Sequence, residues 1–597
     1  MKKTRLQILF GGIVILLLGC SIRAGETEKY LNYQVRALPF QIIANGTTMT
    51  AKFTNPDRGW VFGEFSVPLS AMEFRRGDSV IANTAQLVKK QEFMLKLEPG
   101  DYTVTATTDA PNCPVSIKRI HRVPEIYFYA PGSTTMPEIE FPGTNAWTVL
   151  GDQLLASTSI IAPGFLKPED CICYRQAGRK IFFNTSHQPI ANRQADLFAA
   201  AVRDPLTIPG YDGFTVDEFD CGDTKSYADY GKGLALLDNP SHKGIYTWGY
   251  FYGEEFPDGP QVRDLMTTAV HVPGGNGKLL LEIYLGSLST PEQSEQYFQA
   301  RIINLAKRIH AMDPNYMPHL GVILGVFNEM PVLTLERFPE IDFKYCLDRQ
   351  LNLIVNCPEL KNLGVVGYWG GSYCQEELQR WSLALLRHYF IDGKKTMLSE
   401  RYGYHYEPGI LKNGDFSKGF QYWTPLAAEK DSVVIGQLNP EKFALPSQGR
   451  WRIWDWKNDA GKTFALVRRS SHGANILSQK LIHLIPGQPY QLQFAVADYA
   501  DMEVPRSNPR RLGFEAEFNP QEVGIRSSSC FVDHREKSSH VSGPFAHTNI
   551  HRIVFVPRTA ETILTLTDRS KYAGKPGEIL AVNFVQVKPY FAPEMQP

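Results

Sequence analysis

The chain is most informative first for what it lacks. No GxSxG elbow, no P-loop and no HExxH pair occurs in its 597 residues, so serine-hydrolase, nucleotide-binding and zincin chemistries have no support. Neither sign of charge is in excess. Lys plus Arg and Asp plus Glu stand at 62 each, and no basic run follows the first residues, so nucleic acid is not an expected partner. The cysteines form no CxxC pair. Cys171 and Cys173 lie two apart without a matching His or Cys cluster, which argues against zinc, and no cofactor is expected. Cys346 and Cys357 are a candidate disulfide in an oxidising compartment, and buried free thiols fit equally well.

Long apolar runs are scarce too. The N-terminal one, Ile8 to Leu18, is eleven residues with two glycines, short of the roughly 20 a spanning helix needs. It follows the basic Met1-Lys2-Lys3-Thr4-Arg5 and reads as a signal peptide, residues 1–19. Its end, Leu17-Leu18-Gly19-Cys20, resembles the bacterial lipobox, which implies cleavage there and lipidation of Cys20. The expectation is a lipid-anchored protein of the cell envelope, periplasmic or at the cell surface, whose partners are a membrane and a polysaccharide or oligosaccharide. Balanced charge favours a neutral substrate, and an aromatic content of 12% suits stacking on uncharged sugars.

The remaining length exceeds one hydrophobic core, and the pattern divides it into three. Residues 30–122 read as short strands between Asn-Gly and Asn-Pro-Asp-Arg-Gly turns, with a hairpin expected from Phe93–Leu97 through Glu98-Pro99-Gly100-Asp101 to Tyr102–Val104: a β-sandwich. Over 123–405, strand-like runs alternate with helical stretches at Asn192–Val202, Pro291–Met312 and Glu376–Phe390. The runs are Ile126–Tyr129, Thr158–Ala162, Lys180–Asn184, Phe214–Glu218, Leu279–Leu285, Gly321–Phe327, Val365–Trp369 and Met397–Glu400. Eight such runs predict a (β/α)₈ barrel, with Cys221 to Gly277 as an elaborated loop after the fourth. Residues 408–597 revert to strands and predict a second β-sandwich.

Barrel active sites lie at the C-terminal ends of the strands. The fourth run ends in Asp217-Glu218, the sixth in Asn328-Glu329, the third in Asn184-Thr185-Ser186-His187 and the seventh in Tyr368-Trp369. In the fifth, Glu282 and Tyr284 alternate with Leu279, Leu281, Ile283 and Leu285, so they face the interior if the leucine row faces the helices. Glycoside hydrolysis needs two carboxylates across the scissile bond. The candidates are Glu218 as acid/base with Glu329 or Asp217 as partner, and Glu282. Trp369, Tyr368, Asn328, His187, Tyr284, Trp454 and Trp456 are candidate sugar contacts. A noncatalytic glycan-binding lipoprotein on the same barrel is the alternative.

Two resemblances accompany this reading. Leu411-Lys412-Asn413-Gly414-Asp415-Phe416-Ser417, then Phe420-Gln421-Tyr422-Trp423 and the strand Leu580–Val587, are similar to the family 4/9/22-type carbohydrate-binding jelly rolls, which implies a galactose-binding-like fold over about 180 residues and a sugar-binding role. The layout resembles (β/α)₈ glycoside hydrolases with accessory β domains. Asn328-Glu329 resembles the Asn-Glu acid/base dipeptide of the large retaining clan of cellulases and β-galactosidases. That clan carries the dipeptide on strand four and a nucleophilic Glu on strand seven, whereas the seventh run here ends in Tyr368-Trp369. A strand-four and strand-six pair is closer to the α-galactosidase-type clan, which uses aspartates.

Overall fold

A computed structural model describes residues 29–45, 47–110, 114–129, 146–162, 171–186, 195–220, 226–250, 260–284, 290–326, 338–370, 374–437, 462–503, 508–532 and 548–595. Cys20, His187, Asn328, Glu329, Trp454 and Trp456 fall outside these residues.

Alternating burial builds the first unit. Thr48–Asn55 turns Met49, Ala51 and Phe53 inward and lysine and threonine outward, as a half-buried strand must. It lies in a five-stranded sheet with Phe40–Asn45, Gly100–Thr107, Ala71–Arg76 and Ser79–Asn83. This faces a four-stranded sheet of Arg36–Ala37, Ile117–Val123, Gly59–Phe65 and Glu92–Leu97. The expected hairpin at Glu98–Asp101 is not one: Glu92–Leu97 pairs with Gly59–Phe65, and Gly100–Thr107 pairs with the other sheet. Both strands turn apolar residues into one core, so the turn crosses between sheets instead of joining neighbours. Asn55 holds it, donating to the carbonyls of Leu97 and Glu98.

The central unit is a closed, all-parallel barrel of eight strands. In order these are Glu125–Tyr129, Ile160–Ala162, Lys180–Ser186, Gly213–Asp220, Gly244–Tyr250, Gly277–Ile283, Leu320–Gly325 and Val365–Trp369, hereafter strands 1 to 8. Two expectations are corrected. Gly244–Tyr250, placed by sequence in a loop, is strand 5. Met397–Glu400 is no strand, since Leu398–Tyr402 forms a short helix. Its Ser399 amide donates to Asp348 Oδ2, and Gly403 closes it in the left-handed conformation.

Tyr127 on strand 1 reaches across to Thr215 on strand 4, Oη to Oγ1 3.2 Å, which fixes the face that looks inward. Phe182, Tyr246 and Trp248 fill the same interior. Gly213 and Gly244 admit them: a Cβ at either position would stand 2.6 or 2.4 Å from the Phe182 ring.

The third unit pairs a four-stranded sheet with a six-stranded one in the order Val433–Gln437, Thr463–Arg468, Ile579–Pro589, Tyr490–Asp498, Thr548–Pro557 and Val523–Val532. Asn413 of the Leu411–Ser417 motif is buried at a positive φ of 53°, donates to the carbonyls of Gly419 and Gln421, and accepts from the Lys418 amide; Trp423 donates to its carbonyl at 3.0 Å. The motif therefore folds the entry to this sandwich.

All six cysteines among the described residues are free thiols, including Cys346 and Cys357, so that candidate disulfide is absent. No helix among the described residues is long and apolar enough to cross a membrane.

Candidate functional site

Strand alternation decides what reaches the C-terminal mouth. Asp217 shares the inward row of Gly213 and Thr215, and Asn184 on strand 3 donates to its Oδ2 at 3.1 Å. Burial raises the Tyr127 hydroxyl pKa far above its usual range, its hydrogen bond to Thr215 counters this, and the Asp217 charge adds to the rise. Tyr127, Thr215 and Trp248 thus floor the mouth, with Asp217 above them.

The pairing of strands 4 and 5 slips at this point. Val216 pairs with Thr247, but Phe219 pairs with Gly249 and Asp220 with Tyr250, so one extra residue is accommodated at Asp217–Glu218. Before the slip odd-numbered positions share the inward row; after it the backbone of position 220 is in register with position 250, and the side chain of Glu218 lies outside those described. Such bulges re-aim side chains at barrel rims. The sequence reading required the strand to end for both carboxylates to turn inward. The bulge gives the chain another way to change parity without ending the strand.

Across the mouth stands an aromatic wall. Tyr284, following strand 6, stacks on Trp369 at the end of strand 8, centroids 5.9 Å apart and planes at 20°, and Tyr129 at the end of strand 1 meets Trp369 at 5.9 Å and 37°. Tyr129 was missed in the sequence, though it closes the run Ile126–Tyr129. Glu282 lies in the inward row of strand 6 with Leu280, as the alternation predicts, while Leu279, Leu281 and Ile283 face the helices. Tyr297 donates to the Tyr284 carbonyl and supports the wall from behind.

Tyr368 is corrected. Alternation turns it away from the mouth into the layer behind strand 8, where it is fully buried. Burial raises its hydroxyl pKa well above the usual range and the charge of Asp348 adds to this, which places it beside the helix Phe343–Asn356.

The outer face of the six-stranded sheet is occupied. Gln491, Gln493, Gln586 and Lys588 are nearly buried against Lys344, Gln375 and Glu377 of the barrel unit, and Ala495, Ala497, Phe464, Ala581 and Phe584 form a covered apolar cluster beside them. This part of the sheet is a joint with the barrel. No group of three or more His, Cys, Asp or Glu able to hold a metal stands among the described residues.

No protein-family model matches the sequence, and no curated protein matches it. Solved structures similar to it include the endo-glycoceramidase II of Rhodococcus sp. in complex with a five-membered iminocyclitol, at 10% identity over 75% of this chain and 97% of that one, TM-score 0.24. A GH2 β-galacturonidase from Eisenbergiella tayi bound to glycerol matches at 12% identity, with 49% of this chain and 64% of that one covered, TM-score 0.20. TmCBM61 in complex with β-1,4-galactotriose matches at 13% identity over 30% of this chain and 97% of that one, TM-score 0.16. TM-scores this low say nothing of what this chain binds or does.

Proposed function

We propose that the chain is a retaining glycoside hydrolase acting on an extracytoplasmic glycan, with Glu218 as acid/base and Glu329 as nucleophile. One observation carries this reading. With Gly244–Tyr250 counted, the run leading to Asn328-Glu329 is strand 7 and Asp217-Glu218 lies on strand 4, at the same end of the barrel as the Tyr129–Trp369–Tyr284 wall. Strands four and seven are the positions that carry acid/base and nucleophile in the retaining clan that the sequence resembles. The dipeptide differs: Asp-Glu stands on strand 4 here, and Asn-Glu follows strand 7.

In this reading Glu218 protonates the leaving oxygen while Glu329 attacks the anomeric carbon. The glycosyl ester is then hydrolysed by water that Glu218 deprotonates, and a pair in this role stands about 5 to 5.5 Å apart. Asp217, held by Asn184, positions its neighbour, and Trp369 offers a face to the sugar ring. Cys20 supplies the lipid anchor, which confines the enzyme to glycan at the envelope.

Hydrolysis of a panel of neutral glycans by the wild type, Glu218→Gln and Glu329→Gln tests the assignment. Both variants are expected to lose about 10²- to 10⁴-fold in rate while still binding the substrate. Binding with no hydrolysis by the wild type would favour the noncatalytic reading, and full activity in Glu218→Gln would remove that residue from the mechanism.

A further inference from the structure

At the opposite, N-terminal end of the barrel lies a cavity of about 560 Å³ between the first sandwich and the barrel floor. Its size falls within the range of about 300–1,000 Å³ typical of sites for small organic ligands. Five cationic side chains line it: Arg36, Arg58, Lys96, Arg122 and Lys278. Two carboxylates, Asp57 and Glu125, oppose them.

The two carboxylates are already engaged. Asp57 Oδ2 meets Arg36 at 3.3 Å, and Glu125 meets Lys96 at 2.8 Å and accepts from the Tyr246 hydroxyl inside the barrel. Arg58 pairs outside the cavity lining, with Glu98 at 2.9 Å. Arg122 and Lys278 are bonded to neutral oxygens. Arg122 donates to Asn55 Oδ1 at 2.8 Å and to the carbonyls of Asp57 and Arg58; Lys278 donates to the Pro318 carbonyl at 2.6 Å.

The imbalance has an electrostatic signature. Burial, with Arg36 adding to it, pulls the Arg122 guanidinium down to about 10 despite Asp57. Burial also lowers Lys278, Glu125 opposes this, and Lys96 and Arg58 deepen it. Concentrated positive charge in a partly desolvated pocket is relieved by an anion. The backbone leaves room for this arrangement: a Cβ at Gly59 would fall 2.6 Å from Arg122 Nη2. Asp57 and Arg58, 65% and 45% exposed, connect the cavity to solvent.

We infer that this cavity binds a small polyvalent oxyanion, a molecule of about disaccharide size carrying two or more carboxylate, sulfate or phosphate groups, through Arg122 and Lys278. The site is separate from the mouth and does not depend on the activity proposed there. A ligand here bridges the first sandwich, which supplies Arg58, Lys96 and Arg122, to strand 6 of the barrel, which supplies Lys278.

Calorimetric titration of the intact protein tests it, with inorganic sulfate, inorganic phosphate, digalacturonate and a disulfated disaccharide as probes and cellobiose as the uncharged control. At least one anion is expected to bind with Kd below about 1 mM and more weakly as salt rises. Arg122→Gln and Lys278→Gln should each weaken it at least tenfold, and Trp369→Ala, at the other end of the barrel, should leave it unchanged. Sulfate or phosphate binding as tightly as the disaccharides identifies a free oxyanion as the ligand; tighter digalacturonate or sulfated disaccharide identifies an acidic sugar. Arg58→Gln, at the solvent rim, reports on the site if the buried variants fail to fold, with a smaller loss expected. Absence of anion binding at millimolar concentration, or binding that none of the three cation variants weakens, overturns the inference.

Discussion

Single side chains carry the sharpest expectations. Trp369 is contacted by both Tyr284 and Tyr129, so its ring is held in one orientation before any sugar arrives. Trp369→Ala is expected to raise KM on a hydrolysed glycan about tenfold, equivalent to about 1.4 kcal/mol of binding, with a smaller change in kcat. A loss confined to kcat would move Trp369 out of the binding face. Asn184 acts one step further back. Asn184→Ala removes a hydrogen bond that orients Asp217, and misplacement of about 1 Å near reacting groups costs up to about a hundredfold in rate. Steady-state kinetics on the same substrate should show kcat falling with KM little changed, and Asn184→Ser should recover part of the loss. The alternation that placed Asp217 and Glu282 inward was legible because Phe214, Val216 and the strand 6 leucines mark the other face. Tyr368 was misjudged because adjacency to Trp369 in sequence means the opposite face in a strand.

Among the elements, strand 5 and the helix Leu398–Tyr402 account for the errors in counting strands. Gly244-Ile245-Tyr246-Thr247-Trp248-Gly249-Tyr250 is broken by two glycines and has no aliphatic run; its Gly244 lies against Phe182, and its Tyr246 packs on the same ring inside the barrel. No sequence rule reports that Phe182 needs a glycine at 213 and 244. Met397-Leu398-Ser399-Glu400 looks like a strand ending in charge, but Asp348, from a helix some fifty positions earlier, caps it. Asp348 also accepts from the Tyr389 hydroxyl. Burial raises its carboxyl to about 6, against hydrogen bonds from Ser399 and Tyr389 that lower it. Its folded pKa lies above the ordinary 3.8, so its contribution to stability is complete below about pH 4 and is lost as pH rises through 6. Asp348→Asn is expected to flatten the denaturant midpoint between pH 4 and 7 relative to wild type. A wild-type midpoint that rises steadily over that window in parallel with the variant would contradict this.

For the whole molecule, the three units are joined by buried and half-buried polar contacts that no local sequence pattern announces. Arg387 forks onto Glu92, with 2.6 and 2.9 Å contacts, and Arg119 meets Asp392 at 2.7 Å, tying the first sandwich to the barrel. Arg380, 1% exposed, pairs with Glu376, donates to the Phe591 carbonyl and contacts Tyr590 Oη at 3.1 Å, while Glu377 accepts from the Phe591 amide at 2.8 Å. The C-terminal segment is thereby fastened to the barrel after the last strand of the second sandwich. Arg380→Ala removes the buried guanidinium from Glu376 and from the Phe591 carbonyl and is expected to cost about 3–5 kcal/mol, read in chemical denaturation, with earlier proteolytic release of the C-terminal unit. An unchanged midpoint would mean that the joint is carried by the apolar contacts of Trp381 with Phe591 alone. The jelly-roll resemblance implied a second sandwich, which is present, while Trp454 and Trp456, its candidate sugar contacts, lie outside the described residues.

The central claim is that strands 4 and 7 supply the reacting carboxylates. It is tested most directly by incubating the enzyme with a panel of activated 2-deoxy-2-fluoroglycosides, which slow breakdown of a glycosyl ester, and locating the label by peptide mass spectrometry. The account predicts a stoichiometric label on Glu329, abolished in Glu329→Gln and still formed in Glu218→Gln, because an activated leaving group departs without the acid. A label on Asp217 or Glu282, or hydrolysis with inversion and no label, would contradict it.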